Sequence, residues 1–220
     1  IIKDRQYTTQ TDGQPRRSAQ TAIYHITHAL IRWITPILTF TAQEAWEVLQ
    51  AKNGSDAGYV FTESWYVFPE FELSALSNDD WQRIMRAKDM VNKQIETARE
   101  NKLINANLSA DVTLYADGPM YDSLAKLEEE LRFVLITSKA TLAALSEAPS
   151  AINEANGITT EDQSENSVTD LSVNVSAATG TKCVRCWHIR DDIGVDSAHP
   201  ELCARCVTNV TGNGEVRYYA

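Results

Sequence analysis

Residues 182–206 read KCVRCWHIRDDIGVDSAHPELCARC and hold all four cysteines of the chain, as two C-x-x-C pairs with sixteen residues between Cys186 and Cys203. A tight C-x-x-C knuckle aims two thiolates at one point, and a hairpin of about 15–20 residues returns a second pair to that point. The spacing predicts a tetrahedral zinc site with ligands Cys183, Cys186, Cys203 and Cys206. Two knuckle disulfides would close almost no loop, and no signal peptide is seen that would send the chain to an oxidising compartment. A thioredoxin-like redox pair needs no second C-x-x-C downstream, whereas an iron site of four thiolates shares the spacing. His188 and His199 lie inside the loop. With four thiolates completing the shell, both are expected at the surface or beside the ligands. A closed site leaves no position for water or substrate, so the ion acts as a staple for a ribbon too small to have its own core.

Composition narrows what such a ribbon serves. The chain has 220 residues, 43% of them apolar, and a net charge of −10. Long-range repulsion at that charge argues against indiscriminate nucleic-acid binding. The charge is uneven, however: +3 over residues 1–40, +1 over 81–120, zero over 181–220, and −7 over each of 41–80 and 121–180. A polyanion has to meet one of the three segments that are not acidic. No apolar run is long enough to cross a membrane. The chain opens IIKDRQYTTQ, without an initiator methionine, as expected of a fragment of something longer, and a cytoplasmic monomer is expected.

The apolar periodicity predicts a mainly α fold. Ala22, Ile23, Ile26, Leu30, Trp33 and Ile37 recur at helical spacing, with Ser18 as N-cap and Pro36 as stop. Thr41 and Glu44 suit a capping box opening a second helix, and Trp81, Ile84, Met85, Lys88, Val91, Ile95 and Ala98 form the stripe of a third. These three helices are expected to close a bundle within residues 1–108, with Trp33, Trp46 and Trp81 in its core. ADVTLYADG reads as a strand ending in a D-G turn, PMYDSLAKLEEELRFVLI as a helix and TSKATLAAL as a strand. Residues 109–148 therefore form a small α/β unit, with Glu128, Glu129 and Glu130 on a solvated helix face. Residues 149–180 comprise an acidic linker and the lead-in strand LSVNVSAATGTKC, the polar, acidic stretch itself running over 146–170. The zinc ribbon occupies 181–220.

RRSAQTAIYHITHALIRWITPILTFTAQEAW resembles the anticodon-binding helical domain of class I aminoacyl-tRNA synthetases for branched aliphatic amino acids. KCVRCWHIRDDIG with ELCARCVTNVTGNGE resembles the zinc ribbon of bacterial-type isoleucyl-tRNA synthetases. The resemblance covers about residues 16–110 and 181–220. It implies that bundle and ribbon grip the anticodon arm of isoleucine tRNA, while catalytic and editing domains elsewhere in a parent chain use ATP to activate isoleucine and pass it to that tRNA. The adenylate-forming signatures H-I-G-H and K-M-S-K-S are absent from this sequence, so these residues are not expected to activate an amino acid and no catalytic residue is assigned.

The implied tRNA contacts are Arg16, Arg17, Arg185, Trp187, Arg205 and Arg217. Arg16 and Arg17 stand just before the first long helix, where two cations oppose the helix dipole and suit a phosphate instead. Arg185 and Arg205 lie between the sulfurs of their knuckles, placed either to offset the charge of a four-thiolate zinc or to touch phosphate. Trp187 either covers the ribbon's core, the favoured reading, or offers its face to an unstacked base. Two other readings are open. A DNA-repair enzyme of the formamidopyrimidine-DNA glycosylase type also ends in a four-cysteine ribbon but needs an N-terminal proline and acid, which IIKD does not offer. A zinc-stapled scaffold binding only protein would lack the steep salt dependence of RNA binding.

Overall fold

The computed structural model describes residues 2–54, 58–70, 75–150, 152 and 170–220. Most of the acidic stretch expected as a linker lies outside the described residues. In chain order the elements are α1 (Ile2–Tyr7), α2 (Gln14–Ile34), α3 (Thr39–Asn53), α4 (Asn78–Glu100), β1 (Ala110–Ala116) and α5 (Gly118–Ala125). They continue with α6 (Leu131–Leu135), β2 (Lys139–Ala144), β3 (Leu171–Ala177), β4 (Thr181–Lys182), β5 (Ile189–Arg190) and α7 (Ala204–Thr211). Two compact units result, Ile1–Pro15 with Leu73–Ala220, and Arg16–Glu72.

The larger unit is organised by a three-stranded sheet in the order β2-β1-β3, with β1 parallel to β2 and antiparallel to β3. Alternate residues of β1, including Val112 and Leu114, point into the core, as a half-buried strand requires. Their partners are Ile84, Ala87, Val91, Ile95 and Ala98 of α4 and Leu171 and Val173 of β3, joined by Met120, Leu124, Leu131 and Leu135. Burying each large aliphatic side chain contributes about 1.5–3 kcal/mol. α4 packs Ile84, Ala87, Val91, Ile95 and Ala98 on the sheet; of the stripe the periodicity picks out, Trp81 and Lys88 are half-buried and Met85 is exposed. A sheet with one apolar face open needs a helix across it, and α4 supplies that cover. β3 is a full member of the sheet rather than only a lead-in to the ribbon.

The start of α4 is the best-made cap among the described residues. Ser77 Oγ accepts from the Asp80 amide at 3.1 Å, while Asp80 Oδ2 accepts from the Ser77 amide at 2.8 Å, a reciprocal capping box. Lys126 Nζ and Ser123 Oγ each donate to the same carboxylate at 2.8 Å. Lys126 above all, then the Ser77 amide and the Ser123 and Ser77 hydroxyls, hold the Asp80 carboxyl well below the usual carboxylate range. A depressed folded value means stability that is complete above the unfolded value near pH 3.9 and lost as pH falls toward the folded one. The urea midpoint of Asp80→Asn should therefore lie below that of the parent by a constant gap above about pH 5, with the gap closing below about pH 4. A gap that widened in acid would contradict this assignment.

The smaller unit, Arg16–Glu72, has a core of Ile31, Ala42, Trp46 and Val60 with Ile34 and Leu49 packed against it. Gln43 ties α3 to the following loop, accepting from the Val60 amide at 2.9 Å and donating to the Gly58 carbonyl at 3.0 Å. Arg32 lies 4.6 Å from the Trp46 ring centre and pairs with Glu63 at 3.1 Å. Three expectations are corrected here. α2 starts a turn before Ser18, with Pro15 in its first turn, where proline's missing N–H costs nothing. Thr41 and Glu44 sit inside α3, which begins at Thr39 with no side-chain cap; Thr39 Oγ1 instead donates to the Thr35 carbonyl at 2.8 Å, closing the end of α2. The buried residues of α2 are Pro15, Ala19, His28, Ala29 and Ile31, with Thr35 just after its end, beside the apolar stripe. Of that stripe Ala22, Ile26, Leu30, Trp33 and Ile37 are exposed and Ile23 is half-buried, and of the three tryptophans expected in the core only Trp46 is fully buried.

Candidate metal centre and the contacts around it

β4 and β5 pair antiparallel, Thr181 opposite Arg190 and Lys182 opposite Ile189, and the turn between them carries Cys183 and Cys186. The Cys183 amide donates to the His188 carbonyl at 2.9 Å, and the Trp187 amide to the Cys183 carbonyl at 2.9 Å. The second knuckle is built differently: Cys203 is the N-cap of α7 and Cys206 stands in its first turn. A bridge between Ile193 and Cys203 joins the two halves, and the Cys203 amide reaches Cys183 Sγ at 3.5 Å. All four sulfurs are buried and lie within 4.8 Å of one another.

The donor set fits one tetrahedral ion. Thiolates about 2.3 Å from a shared zinc stand about 3.8 Å apart. Cys186 Sγ and Cys203 Sγ are 3.7 Å apart, far beyond a sulfur–sulfur bond, and all four cysteines are free. Among the described residues, the hydrophobic side chains packed on the cysteines are Ile193 and Leu202, so the cluster has little apolar mass with which to hold itself closed.

The expected RNA-contacting residues separate into two groups. The guanidinium groups of Arg205 and Arg217 are engaged inside the larger unit. Arg205 grips Asp4 in bidentate fashion at 2.6 and 3.1 Å and Glu215 at 2.7 and 2.8 Å, and its side chain is only 10% exposed. Arg217, 2% exposed, reaches Asp4 at 3.0 Å and donates to the Ala220 carbonyl. Both lie over the Phe133 ring, at 4.6 and 3.4 Å from its centre. Burial pushes the Asp4 carboxyl up, but Arg205, Thr8 and Arg217 outweigh it and hold the group below its ordinary range. Arg185 is half-buried and donates to the Thr8 carbonyl just after α1.

Trp187 is 61% exposed, which overturns the core role favoured for it. Its φ of 66° is left-handed, a conformation that costs a bulky residue about 1–3 kcal/mol. Lys182 Nζ stands 5.6 Å from the ring centre, so the knuckle presents an aromatic face with a cation beside it. Arg16 and Arg17 lie in the first turn of α2 and not before it; Arg17 is exposed and Arg16 half-buried. Neither side chain has an ion-pair or hydrogen-bond partner among the described residues. His199 is half-buried, and His188 is buried beside the ligands, its Nδ1 3.2 Å from the Cys186 carbonyl and its ring edge-on to Phe133 at 5.8 Å.

Sequence reasoning missed Glu130. Glu128 and Glu129 are exposed as expected, but at Glu128 the backbone turns left-handed, φ 47°, and Glu130 points inward. Its carboxylate accepts the amides of Tyr218, Tyr219 and Ala220 at 2.5, 2.8 and 2.6 Å. Partners 88 to 90 positions away leave no local pattern that could announce them.

Comparison with known proteins agrees with this geometry. Residues 1–114 match the family model described as the anticodon-binding domain of tRNA ligase, and residues 180–209 match the zinc finger found in FPG and IleRS. The zinc finger alone leaves the glycosylase reading open; the first match and the relatives disfavour it. The whole chain is 75% identical to an isoleucine–tRNA ligase of Psychrobacter arcticus, 50% to one of Teredinibacter turnerae and 47% to one of Acinetobacter baylyi. It spans less than a quarter of those relatives, 23%, 22% and 22% of their lengths. With 114 of its 220 residues matching that model and the four cysteines gathered at one point, the chain belongs to the tRNA-ligase anticodon-binding family.

Proposed function

We propose that this chain is the tRNA-binding part of an isoleucine–tRNA ligase, and that it holds the anticodon arm of isoleucine tRNA. The observation that carries this reading is identity along the whole chain to isoleucine–tRNA ligases, joined to the anticodon-binding match over residues 1–114. Activation of isoleucine by ATP and its transfer to tRNA belong, in this reading, to parts of a longer polypeptide outside these residues. One structural Zn²⁺ on Cys183, Cys186, Cys203 and Cys206 holds the ribbon shut. The setting is cytoplasmic and the protein a monomer.

Two surfaces are left to meet RNA once Arg205 and Arg217 are set aside. Arg16 and Arg17 offer cations at a helix N-terminus, where amides and dipole already favour phosphate. Trp187, with Lys182 beside it, offers a ring on which an unstacked base can lie. Arg185 contributes charge near the knuckle but is tethered to Thr8.

The two surfaces should respond differently. Neutralising Arg16 and Arg17 together should weaken tRNA binding and lower the logarithmic salt slope by about 0.7–0.9 for each phosphate no longer neutralised. Trp187→Ala should cost about 1–3 kcal/mol of affinity with the slope unchanged and the metal retained. Affinities measured at matched salt for isoleucine tRNA and a non-cognate tRNA complete the test. Equal binding of the two would reduce the chain to a nonspecific module.

A further inference from the structure

β2 forms one edge of the three-stranded sheet, and its outer side pairs with no strand among the described residues. A cavity of about 560 Å³ lies along it, touched by four consecutive residues, Lys139, Ala140, Thr141 and Leu142. Successive side chains of a strand point to opposite faces of its sheet. A space that meets all four therefore lies against the edge itself, where backbone N–H and C=O groups are left to pair. Leu124, Leu131 and Ile189 add apolar surface to the same cavity. Natural edges are commonly blunted by charge, proline or a bulge. Here Lys139 is the one charged residue of the strand KATLAA, which contains no proline.

The charges around the cavity decide between kinds of partner. Asp111, Glu128, Glu129, Asp191 and Asp192 line it against three cations. Of those cations, Arg190 pairs with Asp192 at 3.2 Å, and the Arg132 guanidinium lies 4.6 Å from the Phe133 ring centre. Lys139 is the third, and the excess of charge is negative. Glu128, Glu129 and Asp191 are exposed, while Asp111 Oδ1 is buried without a hydrogen-bond partner. Phosphate is repelled by such a rim, which excludes RNA. Among the described residues the four cysteines are the one group placed to share a metal ion, so these acids do not form a cation site. An open strand edge beside apolar and acidic side chains suits a polypeptide in extended form, bound by its main chain and selected by its side chains.

We propose that the groove along β2 takes an extended, basic segment of a partner protein, which adds to the sheet as a fourth strand. Its apolar side chains lie on Leu124 and Leu142, and a lysine or arginine between them meets Glu128 and Glu129. RNA does not enter this contact, so the inference stands apart from the tRNA reading and can fail without it.

Titration of the 220-residue chain with the end-blocked peptide Val-Lys-Val-Lys-Val, followed by the amide resonances of β2, tests the proposal. Amides of residues 139–144 should shift and saturate at millimolar peptide. Val-Glu-Val-Glu-Val should bind several-fold more weakly, and so should the lysine peptide once its backbone nitrogens are methylated. Glu128→Lys combined with Glu129→Lys, both exposed and outside the strand, should reverse the order of the two peptides and leave the melting temperature unchanged. Absence of shifts in β2 overturns the proposal. Equal affinity for the lysine and glutamate peptides removes the charge argument, and indifference to N-methylation removes strand addition; either result overturns it. Tighter binding of an RNA hairpin at the same amides assigns the groove to nucleic acid and overturns it as well.

Discussion

Removing the metal from the four-cysteine site, by chelator or by Cys203→Ser, should unfold the ribbon and leave the α4–sheet core folded. Structural zinc in isolated fingers is worth apparent binding free energies of about 10–16 kcal/mol at neutral pH. That energy has little substitute among the described residues, where Ile193 and Leu202 are the hydrophobic side chains packed on the cysteines. The core around α4 and β1 contains none of the ligands and buries its own apolar stripe. The loss should reach α1 as well: Arg205, inside the second knuckle, is what holds Asp4. Circular dichroism should therefore lose only the helical signal of α7 and α1, while hydrogen exchange in residues 181–211 rises to unprotected rates. Disappearance of most of the helical signal would show that the ribbon supports the whole larger unit, and recovery of metal-free protein with a protected ribbon would remove the metal from the account.

The knuckles were legible because a metal site writes itself as spacing: two tight pairs and a hairpin between them admit few geometries. β1, β2 and β3 were legible from alternation and turn residues, and α4 from a stripe of which Ile84, Val91, Ile95 and Ala98 are buried. What escaped was the choice of partner. Periodicity shows that the Ala22–Ile37 face is apolar but not what it meets, so a helix read as bundle core turns that face outward and buries Ile31 and Thr35 instead. Charge composition failed for a related reason. Arg205 and Arg217 look like phosphate ligands when lysines and arginines are counted against distant acids, but Asp4 and Glu215 reach them through the fold, Asp4 from 201 and Glu215 from 10 positions away along the chain from Arg205. Thr41 and Glu44 had cap spacing without a helix end between them, because Pro36 and the Thr39 hydroxyl had already turned the chain two residues earlier.

Arg205→Ala should destabilise the larger unit by about 3–5 kcal/mol, the usual result of removing one partner from a buried ion pair. Asp4 and Glu215 would be left with Arg217 as their remaining ion-pair partner, and Thr8 would lose a donor at 2.9 Å. Arg205→Lys should rescue little, since one ammonium cannot span the Asp4 and Glu215 carboxylates that the guanidinium fork holds at once. Acid should act in the same direction. Because the folded Asp4 carboxyl is depressed, its contribution is complete above about pH 5 and is lost as pH falls toward the folded value, and Asp4→Asn should flatten that part of the profile. The experiment also separates structure from recognition. If Arg205 acts inside the fold, tRNA affinity of Arg205→Ala measured well below its melting temperature, with metal content intact, should keep the parent's salt slope. A slope lowered by about 0.7–0.9 without loss of stability would return Arg205 to the phosphate-binding set and break the network inferred around Phe133.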